Sequence, residues 1–374
     1  MKPFLMGALT GAGFGWVLYK VGATRYSRVM GMLTLRDTKV MKFAFTAIGV
    51  ASLGYGLAAA LGLSERLSLV PRVMPYLGAA HLLGGALFGV GMGVSGLCPG
   101  TCAAKAGGRG GDRKLATPAA VVGLVAGVVL YAVLKDPLVS AGIIAINQKP
   151  LTLHGALGLP YAAVALAFGA LFLVVALVVD RLTPERSYEP ERPLHGLVDR
   201  IRGEWSWVAA GTAGGILVLL ATAQGGYLGF SGAILAAVGW GAHLLGRTME
   251  VVPRIDGDIL WRAALILGVF PGAALAAATS LRSRAAAGPR APKVLDLGAV
   301  ARSFSAATVM TLGALVGGGC TTGAFIAAWP TLSLGSLAMA GTFFVVSMAV
   351  ANGRLLARAL DIRTAQAIGD RVYD

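Results

Sequence analysis

The first stretch able to do chemistry is Gly96-Leu97-Cys98-Pro99-Gly100-Thr101-Cys102, which places two of the chain's three cysteines beside a proline and among glycines. The third cysteine stands in Gly317-Gly318-Gly319-Cys320-Thr321-Thr322-Gly323. In both places a Gly-rich apolar helix stops, a cysteine follows, and a short apolar stretch runs on before the next full-length one. Gly96 and the run Gly317 to Gly319 are natural helix enders. Pro99 suits the first position of a new helix, which makes Cys98 the expected N-cap. Cys320, followed by Thr321 and Thr322, is expected to play the same part. Two half-helices too short to span, dipping from opposite sides, are tolerated in a bilayer only where they line a cavity. Their unpaired backbone N–H groups and positive dipole ends favour an anion, and a cysteine there is a proton donor of tunable acidity.

All 17 Asp and Glu fall in loops or at the edges of apolar stretches. That leaves no carboxylate for a proton relay or a hard cation. The expected site is therefore an anion site built from backbone amides, Thr hydroxyls and thiols, without a buried Lys or Arg. Its candidate binding and translocation residues are Cys98, Cys320, Gly96, Pro99, Gly100, Gly319, Thr321, Thr322 and Cys102. Sulfur ligands suit a sulfur-containing anion. Simpler roles stand beside these. Small residues on membrane helices commonly serve close packing, and a lone membrane cysteine is commonly a small hydrophobe. Cys102 has no cysteine counterpart in the second segment and can be merely buried. His81 and His243 are expected to be structural, Gln224 to line an outer vestibule, and Arg36 with Asp37 to form a local ion pair. Three cysteines are too few for a disulfide framework, and Cys98 and Cys102, one helical turn apart, have poor geometry for a bridge. No metal site and no cofactor are expected.

The elements that position these residues are apolar helices. The 374 residues are 56% hydrophobic and 13% charged, against ~25% charged in soluble domains. Apolar stretches of about 20 residues, enough to cross a bilayer, recur along the chain. The sequence thus predicts an all-α polytopic membrane protein of about nine spans, at 4–20, 40–63, 74–93, 117–135, 157–179, 206–223, 259–279, 303–318 and 332–353. The apolar start, Met1 to Tyr19, reads as a first span rather than a cleaved leader. The net charge of +15 is no nucleic-acid footprint, because most of the 32 Lys and Arg fall in alternate inter-span segments. Basic residues favour the cytoplasmic side, so the expected topology has the N-terminus outside and the C-terminus in the cytoplasm.

An ordered self-similarity runs through the chain. Gly7, Gly11, Gly22, Tyr26 and Ser27 fall on Gly211, Gly215, Gly226, Phe230 and Ser231 at one constant spacing. Gly91, Gly96 and Cys98 fall on Gly313, Gly318 and Cys320 at a second. Four spans per repeat and one linking span make an odd offset, hence an inverted repeat, the architecture in which transporters build sites from broken helices. The expected organisation is a first membrane repeat over 1–140, a linking helix and charged connector over 141–204, a second repeat over 205–356, and a cytoplasmic tail over 357–374.

At the segments "GVSGLCPG" and "GGGCTTGAF", and at the opening "TGAGFGWVLYKVGATRYSRVMGMLTLRD", the chain resembles the YeeE/YedE (sulphur transport) family of inner-membrane proteins, over about Gly7 to Ala351. The resemblance implies an hourglass-shaped helical protein with a thiol-lined constriction, through which thiosulfate passes by transient S–H hydrogen bonds. Carried over by position, the central thiols are Cys98 and Cys320. A third cysteine that some members carry near the N-terminus is replaced here by Gly22-Ala23-Thr24-Arg25, so Thr24 or Cys102 would have to substitute.

The expected function is uptake of thiosulfate or a related small sulfur anion across the inner membrane without ATP, since no GxxxxGK[ST] sequence is present. The expected protein is a permease rather than an enzyme. Its partners would be that anion, the lipid bilayer and, by the resemblance, a cytoplasmic sulfur-carrier protein. Two rivals remain: a membrane sulfurtransferase holding a persulfide on Cys98, and a Cu(I)-type permease, since thiolates also suit soft metals. Met92 lies near Cys98, but the methionines form no Met-x-x-Met pattern.

Overall fold

The computed structural model describes residues 1–108, 116–145, 150–184, 201–280 and 296–372, with side chains to 357 and at 359. Among the described residues every regular element is a helix. In chain order these are α1 (Lys2–Lys20), α2 (Tyr26–Leu33), α3 (Lys39–Ala60), α4 (Ala79–Ser95), α5 (Pro99–Gly107), α6 (Ala116–Ser140), α7 (Leu153–Leu157), α8 (Tyr161–Leu182), α9 (Trp207–Ala223), α10 (Phe230–Leu244), α11 (Gly257–Ala278) and α12 (Leu297–Val316). A π-helix over Thr321–Ala327 follows, then a 3-10 turn, then α13 (Leu334–Val372).

Seven of these stretches are long and apolar enough to cross a membrane, taking α4 and α5 together as Ala79–Gly107. The chain is a multi-pass membrane protein. The apolar pattern located most of the long helices within a few residues, but α1 and α9, two of the nine expected spans, are not among the seven, and three further differences stand out. The segment between 223 and 259, expected to be a loop, holds α10, whose 15 residues are too short to register as a span. The stretch expected from 74 starts as a helix only at Ala79, because residues 72–77 form an irregular strap. α13 runs unbroken to Val372, so the expected tail continues a helix.

Burial separates centre from periphery. The most apolar windows of α8 and α6 are only 17% and 28% buried, against 61% for α3 and for α4 with α5. The exposed faces of α6 and α8 carry Val122, Val125, Val129, Leu171, Val174 and Leu177, the side chains that lipid solvates.

Within lipid the hydrophobic effect does not press helices together, so small residues that let backbones approach do the packing. Gly7, Gly11 and Gly15 of α1 lie against the backbone of Trp261, Leu265 and Val269 of α11, so the two helices run parallel. Gly211 and Gly215 of α9 lie likewise against Thr46 and Val50 of α3. The second half of the bundle follows the same rule. Gly85, Gly89 and Gly93 of α4 meet Thr342, Val346 and Val350 of α13, while Gly123 and Gly127 of α6 meet Phe304 and Thr308 of α12. These pairs join the two halves of the chain, while α3 also packs on α8 through Gly49, Gly56 and Gly169.

Charge marks one end of the bundle. Glu204, just before α9, pairs with Arg25 (2.9 Å), Arg28 (3.1 Å) and Lys39 (2.9 Å). Burial opposes its ionisation, but the three cations outweigh that and hold its carboxyl below the usual carboxylate range. Lys42, fully buried, pairs with Asp180 at the end of α8. Asp37 pairs with Arg28 at 2.6 Å, not with its neighbour Arg36, which is exposed; α2 turns Arg28 back toward it. Gln224 does not line a vestibule, because its Oε1 accepts from Thr10 and from the Trp261 indole, both at 3.0 Å. It locks α9 to α1 and α11.

A side chain at residue 11 would collide with the Leu265 carbonyl. Gly11→Ala is therefore expected to lose more than ~1 kcal/mol and Gly11→Leu to fail to fold, whereas Gly341→Ala, with open space around it, leaves thermal stability in detergent unchanged or raised. An unaltered melting temperature for Gly11→Ala would contradict the parallel α1–α11 contact.

Candidate functional site

The turn before each cysteine sets the site. α4 ends at Gly96 in the left-handed conformation (φ 62°, ψ 27°), and Gly318 holds the equivalent place before Cys320 at φ 90°. A residue with a Cβ is disfavoured at such angles. Cys98 and Cys320 then adopt extended conformations, φ −119°, ψ 171° and φ −106°, ψ −175°. Each is the N-cap of the helix that follows, as their sequence neighbours predict.

At Cys98 a reciprocal cap closes the turn. The backbone N–H of Cys98 donates to Thr101 Oγ1 at 2.7 Å, and the Thr101 backbone N–H donates to the Cys98 sulfur. Thr101 Oγ1 lies 3.0 Å from the Cys98 carbonyl oxygen and 3.3 Å from Sγ. The sulfur's acceptor capacity is thereby used, which leaves its own S–H to donate elsewhere. Pro99 occupies the first helical position, where no N–H is required. A Cβ on Gly100 would strike the Phe230 ring, and one on Gly96 would press into Tyr26 at 2.6 Å. Cys102 sits one turn into α5, 1% exposed, its N–H bonded to the Cys98 carbonyl at 2.8 Å.

The Cys320 side is less regular than expected. In place of a short α-helix, Thr321–Ala327 is a π-helix. The Gly323 carbonyl receives the Tyr227 hydroxyl at 2.5 Å as well as the Ala328 N–H at 3.0 Å. That double acceptance widens the turn, and π-turns are frequent at functional sites. Gly319 packs against Ala324. The strap at 72–77 covers this loop: Met74 and Leu77 lie beside Gly318, and Ser333 Oγ donates to the Met74 carbonyl at 2.9 Å. His81 is structural as expected. One ring nitrogen accepts from Leu77 N–H and the other faces the Gly317 carbonyl, both at 2.8 Å, which fixes the neutral tautomer with Nδ1–H donating. His243, by contrast, is exposed at the end of α10.

The two loops meet. Cys98 faces Thr321 and stands within electrostatic range of Cys320. Cys98 is 8% exposed and Cys320 fully buried, and all three thiols are free. The Thr321 hydroxyl, turned toward the Cys98 sulfur, completes no hydrogen bond; Thr322 is buried beside it. Among the described residues no three His, Cys, Asp or Glu converge as a metal site would need.

Sequence reasoning did not foresee the surroundings. A cavity of about 130 Å³ opens beside the Cys320 loop, bounded by Gly319, Gly323, Tyr227, Ser231, Arg72 and Arg262. Guanidinium groups thus stand next to a site expected to lack Lys and Arg. The one available signal was Arg262, a lone cation one turn inside the apolar run of α11.

The chain's likeness to known proteins bears on this geometry. A family model described as Sulphur transport matches residues 26–349, which takes in both cysteine loops and every helix from α2 into α13. Among curated proteins, none matches the chain.

If the Tyr227 hydroxyl holds the π-turn, Tyr227→Phe frees the Gly323 carbonyl and loosens the loop. Labelling of Cys320 by a small methanethiosulfonate is then expected to quicken several-fold while the Cys98 rate stays put. Equal rates in both proteins would contradict that role.

Proposed function

We propose, from the premise that the chain belongs to the sulphur transport family, that it is a permease for thiosulfate or a related small sulfur-containing anion, which crosses at the apposed thiols of Cys98 and Cys320. The observation that carries this reading is the meeting of two free, buried cysteines from loops more than two hundred residues apart, with the unsatisfied Thr321 hydroxyl turned toward Cys98.

The architecture we infer is an inverted repeat with two re-entrant segments. Its support is the reciprocity of the packing: α1 on α11 against α9 on α3, and α4 on α13 against α12 on α6. The matched positive-φ glycines and extended cysteines point the same way. We assign the basic end around Glu204 to the cytoplasm by the positive-inside rule. That puts the N-terminus outside and the C-terminus inside an inner membrane, and makes the cavity beside Cys320 the entrance.

Moving a dianion through a dry constriction demands donors, since an unpaired charge in a low-dielectric medium costs tens of kcal/mol. Strong donors would trap it, and conduction needs sites weak enough to leave. An S–H group is a weak donor, and two in series give a shallow well on each side of one step. The anion sheds water at Cys320, takes hydrogen bonds from both thiols and from Thr101 or Thr321, and leaves past Gly96. No bond to sulfur forms or breaks. Concentration gradient and cytoplasmic consumption set direction, and a soluble sulfur carrier could take the anion at the basic end.

Uptake of radiolabelled thiosulfate into vesicles tests this. Cys98→Ala and Cys320→Ala are each expected to fall at least about tenfold, a loss of ~1.4 kcal/mol or more, while Cys102→Ala falls partially. Cys98 is expected to carry no added sulfur by intact mass after exposure to substrate. Full uptake in either of the first two variants, or a persulfide on Cys98 that turns over in detergent, would overturn the permease reading.

A further inference from the structure

The cavity beside the Cys320 loop has a chemistry of its own. It lies at the end of the bundle opposite the Glu204 cluster: Arg262 sits beside Trp261, which packs on Gly7 near the start of α1, whereas Lys20 at the other end of α1 bonds the Arg202 carbonyl at 2.9 Å. Arg262 spends two of its nitrogens on Asp258, with Nε donating at 3.0 Å and Nη2 pairing at 2.8 Å. Its third nitrogen, Nη1, is turned away toward Gly232 on the cavity wall, 3.5 Å from where a Cβ there would lie. Arg72, on the strap, lines the same cavity, is exposed at its mouth and makes no hydrogen bond or ion pair among the described residues. Partial shielding of its guanidinium from water and the like charge of Arg262 disfavour its cation, while Asp258 and Tyr227 work the other way. Ser231, only 4% exposed, contributes a hydroxyl with no hydrogen-bond partner among the described residues. Two cations and a free hydroxyl therefore line about 130 Å³ of space that Gly319 and Gly323 also bound, with Gly323 next to the Cys320 sulfur.

We propose that Arg72, the free Nη1 of Arg262 and Ser231 form an anion-capture site that holds a small divalent oxyanion immediately before the thiol constriction. The inference rests on the permease reading for its role in transport, but the binding itself does not. An anion bridging the two guanidinium groups relieves their mutual repulsion and exchanges part of its hydration before it meets the weaker S–H donors. Guanidinium forks match pairs of oxygens on an oxyanion, and a cationic recess raises the local anion concentration and the entry rate. Strong donors stand where the anion is gathered and weak ones where it must move.

Two measurements test the site and separate it from the constriction. The first is stabilisation of the purified protein by thiosulfate, with chloride at equal ionic strength as control. Cys98→Ala is expected to keep the thiosulfate-induced rise in melting temperature, and Arg72→Gln to lose most of it. The second is uptake kinetics. Arg72→Gln and Arg262→Lys are expected to raise the half-saturating concentration roughly tenfold, with maximal rate changed less than about twofold. The conservative Arg262→Lys keeps a charge opposite Asp258 and so guards against misfolding. If Arg72→Gln retains both the stabilisation and the wild-type half-saturation, the capture site is wrong even where the cysteine variants fail to transport. If chloride stabilises as well as thiosulfate does, the recess is a general charge effect and the proposal also falls.

Discussion

A cysteine can be aimed at a point inside a membrane only if the helix carrying it is interrupted there, and an interrupted helix exposes backbone groups that lipid cannot satisfy. Gly96 and Gly318 solve both halves of that problem. Their positive-φ turns, each two positions before the cysteine, follow the ends of α4 and α12, and the chain then caps itself. On one side the Cys98–Thr101 reciprocal pair closes the break; on the other the Tyr227 hydroxyl reaches in from the segment just before α10. Everything else follows from keeping those two breaks apposed. Small residues draw α4 against α13 and α12 against α6, and these close pairs hold the loops that the breaks create.

The arrangement grades hydrogen-bond strength along one axis. Guanidinium groups stand at the mouth, thiols and hydroxyls in the buried centre, and the carboxylate–cation cluster around Glu204 at the far end. Full charges are confined to the ends, where ion pairs and backbone carbonyls satisfy even the buried Lys20, Lys39 and Lys42. The centre keeps only groups whose burial costs little, and a free thiol is among the least costly polar groups to bury. Tyr26 over Gly96 and Phe230 over Gly100 narrow the space on either side of Cys98. The first of these aromatics begins α2 and the second begins α10.

The parts of this site that were legible in the sequence are the parts made by local chemistry. A glycine, a cysteine and a proline in that order announce a helix end, an N-cap and a helix start within a few residues, and the structure places Cys98 accordingly. The Gly-rich run before Cys320 carried the same message without the proline. What sequence could not show is contributed across long separations. Phe230 begins a helix too short for the apolar pattern to register as a span, and Tyr227, three residues before it, bonds the Gly323 carbonyl within the π-turn. Arg72 sits in a strap whose course is set by Ser333 and His81, neither of which looks like an anchor in sequence. Gln224, polar at a span end, looked like a vestibule residue because the Thr10 and Trp261 groups that satisfy it lie on other helices.

The most direct test is whether the two thiols face one another. In a Cys102→Ala background, purified protein treated with a short bifunctional methanethiosulfonate should yield one intramolecular bridge joining Cys98 to Cys320, found as a single linked peptide pair, and thiosulfate should slow its formation. Separate mono-adducts on the two cysteines with no linked peptide would place them apart and contradict the account.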